Sequence, residues 1–304
     1  MKTDPSAYAI VLNWNRFDDT VECIASLKRS SLPLRHILVL DQASPDASGK
    51  KLEDNYRGDD QIIVICNEKN YGFAAAANIG IQRALNEGAE LIFLINNDTI
   101  VAEDCIQRLF EVLNLDPLAA AAGPAIMYYS NPEKLWQAGG FFSKLKMGVI
   151  VPGKGKRLRD IDQSASRATF LTGCALLIRR CTFERVGLFD TSYFFYGEDV
   201  DYSLRIRDEG MRMYFVPTAK VLHKIEDIAT DRTSPFVLYH LAKSTMIMLR
   251  KRFSGLELWY GVTLQLTLYT AFRCWQIVIG GSGWDSVLAW FKGLFHGLST
   301  KGYD

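Results

Sequence analysis

A dominant sign of charge is the first thing this chain lacks. Its 304 residues carry 35 lysines and arginines against 34 aspartates and glutamates, a balance of +1. No global field favours nucleic acid or another polyanion, so any anion has to be bound locally. The six cysteines, Cys23, Cys66, Cys105, Cys174, Cys181 and Cys274, show no C-x-x-C spacing and sit mostly among apolar residues. They are expected to be small core fillers, free cysteine being among the most buried residue types. Residues 1–16 lack the basic head and cleavage site of a secretory leader, so a reduced, cytoplasmic setting is expected. No internal repeat is present. Residues 256–279 come nearest to a membrane span, but Glu257, Gln265, Arg273 and Gln276 interrupt them. Crossing a bilayer takes roughly 18 to 20 apolar residues, which excludes a spanning helix here.

What is present, 48% hydrophobic and 12% aromatic residues, supplies a sizeable core. The apolar, β-branched run 8–14 reads as a buried first strand, with Asn13 and Asn15 where it closes. A helix follows, with Asp18 or Asp19 as its cap and Val21, Ile24, Ala25 and Lys28 at three- and four-residue spacing. Residues 36–40 form a second strand ending at Asp41, with Ser44-Pro45-Asp46 as the turn after it, and 62–66 form a third. Asn70-Tyr71-Gly72 leads into an alanine-rich helix over 73–87, stopped by Gly88, and 91–95 form a fourth strand. Short apolar strands alternating with amphipathic helices predict an α/β fold, an open and mostly parallel sheet with helices on both faces. In such sheets ligands bind beyond the carboxyl ends of the strands, where Asn13, Asp41, Asn67, Asn96, Asn97 and Asp98 all fall.

From about residue 118 the alternation weakens. A strand is expected over 170–179, a short helix over 181–186, and a helix over 198–209 ended by Gly210. Short strands over 214–216 and 220–222 flank Pro217. The glycine- and lysine-rich segment 148–159 is expected to be a mobile loop. After residue 236 the composition shifts again. Arg250-Lys251-Arg252 precedes the apolar stretch, and Trp284, Trp290, Phe291 and Lys292 follow it, a combination that suits a helix lying in the interface of an anionic membrane. The competing expectation is a helical subdomain packed on the main core or on a second copy of the chain, as in a homodimer.

Three clusters carry chemistry. Asp98 ends an apolar strand behind two asparagines, where a carboxylate can leave the sheet edge and meet a hard divalent cation such as Mg2+ or Mn2+. His223, at the end of another expected strand, could add an imidazole. Glu198 and Asp199 open a helix directly after Tyr193, Phe194, Phe195 and Tyr196. A carboxylate held there suits a general base, beside aromatic surfaces that stack on sugar rings. Capping is the plainer reading of the acidic pair, since acids at a helix start are stabilised by the dipole. Asp41 could accept hydrogen bonds from a nucleobase imide or ribose hydroxyls, or could simply make a turn.

Taken in order, these residues resemble a known group. The motifs are Ile10-Val11-Leu12-Asn13-Trp14-Asn15, Val39-Leu40-Asp41-Gln42-Ala43-Ser44-Pro45-Asp46, Asn67-x-x-Asn70-Tyr71-Gly72-Phe73-Ala74 with Asn78-x-Gly80, Leu94-Ile95-Asn96-Asn97-Asp98, Thr172-Gly173-Cys174, Gly187-x-Phe189-Asp190 and Tyr196-Gly197-Glu198-Asp199-Val200-Asp201. The ordered set resembles the family 2 glycosyltransferases of GT-A fold, and within them the bacterial rhamnosyltransferase-like branch, from about residue 7 to 252. The resemblance implies a catalytic domain over 1–240 and a helical, membrane-associating extension over 241–304. It implies a nucleoside-diphosphate sugar donor, of the dTDP-rhamnose or UDP-sugar kind, held by Asn13, Asn15, Asp41, Asn70, Gly72, Asn78, Asn97, Asp98, Thr172 and Gly173. Asp98 and His223 would bind Mg2+ or Mn2+ at the diphosphate, and Asp199, beside Glu198, would be the base of an inverting transfer to a glycan or lipid-linked acceptor contacted by Phe195 and Tyr196. Such an enzyme would build cell-surface polysaccharide at the cytoplasmic face of the membrane. Two departures stand out: Asn96-Asn97-Asp98 replaces an Asp-x-Asp triplet, and Gln42 and Pro45 replace an asparagine and a threonine.

Two other classes compete. A catalytically silent nucleotide-sugar-binding module would not need Asp98, Glu198, Asp199 and His223 together. A sugar nucleotidyltransferase would want a glycine-rich, arginine-containing loop after the first strand, where Asn13-Trp14-Asn15-Arg16-Phe17 stands.

Overall fold

The computed structural model describes residues 5–225 and 233–299. Its first half alternates strand and helix: β1 (Ala7–Asn13), α1 (Phe17–Lys28), β2 (Leu34–Asp41), α2 (Ser48–Asn55), β3 (Ile62–Cys66), α3 (Phe73–Asn86) and β4 (Leu91–Asn96). A tight turn leads to β5 (Thr99–Val101), then α4 (Cys105–Leu115), β6 (Ala119–Tyr128) and β7 (Asn131–Gln137). There follow the small ribbon of β8 (Phe141–Ser143) and β9 (Gly148–Ile150), then β10 (Ser166–Ala168), β11 (Ala175–Arg179), α5 (Arg180–Val186), α6 (Glu198–Asp208) and the long β12 (Arg212–His223). Four helices close the chain: α7 (Pro235–Arg252), α8 (Gly255–Leu264), α9 (Thr270–Ile279) and α10 (Trp284–Ser299), with a π-helical turn, Gln265–Tyr269, between α8 and α9.

The main sheet runs β10-β12-β6-β11-β4-β1-β2-β3, with β5 on β12 and β7 on β6. The pairs β4-β1, β1-β2, β2-β3 and β12-β6 are parallel, and β11 lies antiparallel between β4 and β6. This is the expected mostly parallel α/β sheet, and alternation along each strand serves two cores. Ala7, Ala9 and Val11 face α1 and α4, while Tyr8 and Ile10 face the alanine-rich side of α3 and the rings of Phe183 and Tyr202. Register fixes the site: Asn13 pairs Asp41, Asp41 pairs Cys66, and Thr99 pairs His223, so residues distant in sequence share one carboxyl edge.

Several expectations change. Helix α1 starts at Phe17 behind Arg16, which adopts a left-handed φ of 60°, so Asp18 and Asp19 lie in the first turn, where the helix dipole favours them without capping. Of the cysteines only Cys23, Cys105 and Cys174 are buried; Cys66 is exposed because β3 is the outermost strand. The segment 148–159 is tied down: β9 pairs β8, and Gly155 N donates to Leu135 O at 2.8 Å. The two short strands around Pro217 are one, β12, whose register shift between Val216 and Lys220 accommodates the missing N–H. The strand expected over 170–179 begins only at Ala175.

The expected domain boundary at residue 240 falls inside α7. Helix α10 approaches α7 closely at Gly293 and Gly297, where a Cβ would meet Tyr239 O at 2.3 Å and Lys243 O at 2.5 Å. The basic triplet that looked available to lipid headgroups is engaged within the protein. Arg252 Nε pairs at 2.8 Å with Asp201 Oδ1, Lys251 Nζ at 2.6 Å with Asp190 Oδ2, and Arg250 Nη1 donates to Gly297 O at 3.0 Å. Asp201 is wholly buried and also pairs Arg205, so α7 is bolted to α6 by a charge network. Among the described residues no helix is long and apolar enough to cross a membrane. Yet Leu256, Trp259, Leu268, Trp275, Val278 and Trp284 are all exposed on the last helices.

Candidate functional site

At the carboxyl ends of β1 and β2, polar side chains bind one another. Asn13 Nδ2 donates to Asp41 Oδ1 at 2.6 Å and to Ser48 Oγ at 3.0 Å. Asn13 Oδ1 accepts from Thr20 Oγ1 at 2.6 Å and from Asn97 Nδ2 at 3.1 Å. Asn97 Nδ2 also donates to Thr20 Oγ1 at 2.9 Å, and Asp41 Oδ2 accepts from Ser44 N at 3.0 Å. All these groups are buried or nearly so, and the web fixes the loops after three strands. Around it stand three amide atoms, Asn15 Oδ1, Gln42 Nε2 and Asn67 Nδ2, that are buried and have no hydrogen-bond partner among the described residues. A buried, unpaired polar atom is costly, and a ligand that pairs with it removes that cost.

Asp98 follows β4, and His223 ends β12. Asp98 Oδ1 lies 3.1 Å from His223 Nε2, and Arg16 Nη1 donates to Asp98 Oδ2 at 3.3 Å. Burial works against ionisation of Asp98, but the His223 hydrogen bond and charge, with Arg16, outweigh it and hold the carboxyl below its usual range. Burial likewise opposes protonation of His223, yet the sulfur of Cys174 and the Asp98 carboxylate carry its pKa up to about 10. Trp136 packs edge-on against the imidazole, ring centroids 4.5 Å apart. Among the described residues no three acidic, histidine or cysteine side chains converge on one metal position. One carboxylate, with the imidazole once it has given up its proton, fits a cation of the Mg2+ or Mn2+ kind, which takes few protein ligands and completes its shell with water and phosphate oxygens.

The second half of the site begins with Tyr196 and Gly197, both left-handed at φ 64° and 87°, which turn the chain into α6. Asp199 Oδ2 accepts from Gly173 N at 3.2 Å and its Oδ1 from Val200 N at 2.8 Å, with the Thr172 hydroxyl also on the carboxylate. Burial raises the pKa of both acids. For Glu198 the charge of Asp199 adds to it, and Glu198 Oε2 has no partner among the described residues; for Asp199 the two N–H groups pull the other way. Within the pair the two N–H donors favour charge on Asp199, and burial beside that carboxylate favours the proton on Glu198. Asp199 faces a cavity of about 460 Å³ that Thr172 and Tyr196 also line.

The other residues expected here divide. Asn70 Oδ1 accepts from Gly72 N at 2.8 Å, and Phe73 N donates to Phe194 O at 3.0 Å, so the 70–73 turn braces the aromatic segment before Glu198. Only glycine fits at 72: φ is 79°, and a Cβ would lie 2.3 Å from Phe194 O. Asn78 does not join the site. Both its amide atoms bind the backbone of Phe189, at 2.8 and 3.0 Å, making it a clamp between α3 and the turn before Asp190. Phe195 is also displaced from the cavity, because its ring packs against Tyr196 and against Phe236 of α7. Sequence reasoning missed Arg16, Trp136 and the wall that α7, α9, α10 and the π turn give the Asp199 cavity. Arg16 sat in plain view beside Asn15, but nothing local announces a partner in the turn after β4.

Comparison with known proteins identifies the family of the chain. The sequence model described as glycosyl transferase family 2 matches residues 8–187, more than half of the chain, and ends before Glu198, Asp199 and His223. The chain is similar to the N-acetylglucosaminyl-diphospho-decaprenol L-rhamnosyltransferase of Mycobacterium tuberculosis, 29% identical over 81% of this chain and 83% of that one. It is similar also to the dTDP-rhamnosyl transferase RfbF of Shigella flexneri, 24% identical over 80% of each. Among solved structures, the mannosyltransferase PcManGT of Pyrobaculum calidifontis in complex with GDP-Man and Mn2+ superposes with a TM-score of 0.58 at 14% identity, over 98% of this chain and 88% of that one. GalNAc-T7 with UDP, GalNAc and Mn2+ gives a TM-score of 0.62 at 19% identity over 81% of this chain, which spans about half (48%) of that one.

Proposed function

This chain belongs to glycosyl transferase family 2, and on that premise we propose an inverting, divalent-metal-assisted transfer of a sugar from a nucleoside diphosphate to a hydroxyl of a glycan or lipid-linked acceptor. Membership makes the chain a nucleotide-sugar-dependent glycosyltransferase of glycan synthesis. One observation carries the finer reading: Asp98 with His223, and Asp199 with its neutral neighbour, are two separately built acidic sites, and single displacement needs both. The base of the donor nucleotide meets the unpaired amides of Asn15, Gln42 and Asn67, with Asp41 and Asn13 holding those loops. Asp98 and His223 would hold Mg2+ or Mn2+, which when bound would neutralise charge on the departing diphosphate. Asp199 accepts the proton of the acceptor hydroxyl as that oxygen bonds to the anomeric carbon and the nucleoside diphosphate leaves.

The named activities of the two rhamnosyltransferase relatives favour dTDP-rhamnose as donor and a lipid diphosphate sugar as acceptor. The exposed apolar face of the last helices supports peripheral placement at a membrane. A panel of dTDP- and UDP-sugars, incubated with the purified protein and Mn2+, tests the reading. Slow release of nucleoside diphosphate from one of them is expected, and no release from any would overturn it.

A further inference from the structure

Strand β7 is irregular where it reaches the site. Gln137 pairs with Ile126 and Leu135 with Met127, so one step along β6 is matched by two along β7, and Trp136 is the extra residue of a β-bulge. In a regular strand consecutive side chains face opposite sides of the sheet. Here Trp136 and Gln137 both line the cavity in front of Asp199, while Leu135 is buried in a small core with Ala125, Met127 and Phe215. Trp136 is half-buried, and part of it packs on the main core. Its ring also meets the His223 imidazole, centroids 4.5 Å apart, and His223 Nε2 lies 3.1 Å from Asp98 Oδ1. One side chain thus touches the pair that fits a cation and the cavity that Asp199 faces. Among the described residues neither its indole N–H nor the Gln137 amide is hydrogen-bonded.

We propose that this bulge is the platform for the transferred sugar: the C–H face of the sugar ring packs on the indole of Trp136, and a ring hydroxyl meets the amide of Gln137. The two ends of the reaction fix the placement. The leaving phosphate oxygen lies toward Asp98 and His223, the attacking hydroxyl touches Asp199, and single displacement puts the anomeric carbon between them. Trp136 reaches from one to the other. A sugar presents apolar C–H groups and polar hydroxyls side by side, and an aromatic ring next to an unpaired amide matches both. The assignment rests on the glycosyltransferase reading above, and it makes Trp136 and Gln137 donor-binding residues that act on the sugar and not on the nucleotide.

The dTDP- and UDP-sugars of the panel above are the probes, each titrated calorimetrically into the full chain with Mn2+ beside its parent nucleotide, dTDP or UDP. Trp136→Leu keeps apolar bulk against His223 and removes the aromatic face. It should weaken the sugar nucleotide that the unaltered protein binds most tightly by about tenfold or more, and change binding of the parent by less than about twofold. Trp136→Phe, which keeps a ring, should stay within about threefold of the unaltered protein on both. Gln137→Ala disturbs no packing on His223; it should repeat the pattern at about threefold, and it keeps the test decisive if Trp136→Leu does not fold. Equal weakening of sugar nucleotide and parent, in a variant that melts as the unaltered protein does, would reduce Trp136 to a support for His223. Unchanged binding of both would put the sugar elsewhere, and either result overturns the proposal. Failure of the unaltered protein to bind dTDP or UDP would instead remove the donor reading above, because that titration involves no sugar.

Discussion

The ends of β1 and β2 and the start of α6 handle buried polarity in opposite ways. At the first, Asn13 alone joins Asp41, Ser48, Thr20 and Asn97 in one bonded layer of loops, and the amide atoms left unpaired, Asn15 Oδ1, Gln42 Nε2 and Asn67 Nδ2, stand around that web rather than within it. At the second, two adjacent carboxyl groups are buried beside aromatic rings, one lacks a partner, and the far wall comes from helices near the other end of the chain. The base of a donor nucleotide needs a rigid, preformed seat, and a proton acceptor needs a carboxylate whose charge is costly until it is used. The contrast teaches that rigidity and reactivity are assigned to different parts of one sheet edge.

The largest way to break that contrast is to remove the metal. Excess chelator should abolish release of nucleoside diphosphate, and Asp98→Ala or His223→Ala should weaken metal-dependent donor binding by at least about tenfold. Full turnover in chelator would reduce Asp98 to a polar brace for Arg16 and His223. Next comes the seat itself. Asn97→Ala leaves Asn13 and Thr20 short of a donor, so a loss of about 1–3 kcal/mol, read as a melting point lower by several degrees, is expected. An unchanged melting point would show that the web is ornament.

A pH series sharpens the other half. The folded-state pKa of Glu198 lies above its unfolded value, so between about pH 4.3 and the raised value the native protein holds the extra proton and stability falls as pH rises. Glu198→Gln should flatten that fall, and its melting point should gain on the unaltered protein between pH 5 and pH 8; parallel curves would mean that Glu198 is not held neutral. The smallest effect concerns the surface. With Lys251 and Arg252 paired to Asp190 and Asp201, vesicle binding should depend on exposed rings such as Trp259 and Trp275 and change little with salt. Strong salt dependence, or a dimer that falls to monomer when the last helices are removed, would assign that face elsewhere.

The order of β1 to β4, with α1 and α3 between them, was legible because those elements carry their own period and stop signal, as the alanine-rich α3 ending before Gly88 shows, whereas the short polar α2 was not read. Asp98 and His223 were legible one by one, as polar residues ending apolar runs. Their contact was not, since it depends on the β5–β12 register, which no local pattern encodes. Arg252 read as a surface charge because its partner, Asp201, lies in another helix, and Asn78 read as a ligand because its clamp on Phe189 is a backbone contact. The C-terminal wall of the cavity was hidden for the same reason: the apolar surplus of the last helices was plain, but which face meets Asp199 is decided by the π turn and by the packing of α10 on α7.

The transfer rate of Asp199→Asn against that of Glu198→Gln tests the division of labour most directly, with donor binding measured alongside. The structure predicts that Asp199→Asn still binds donor but loses at least about a hundredfold in transfer, the scale of a missing general base, while Glu198→Gln stays within about tenfold of the unaltered protein. Near-normal transfer by Asp199→Asn, together with loss in Glu198→Gln, would move the base to Glu198 and contradict the assignment of the charge to Asp199.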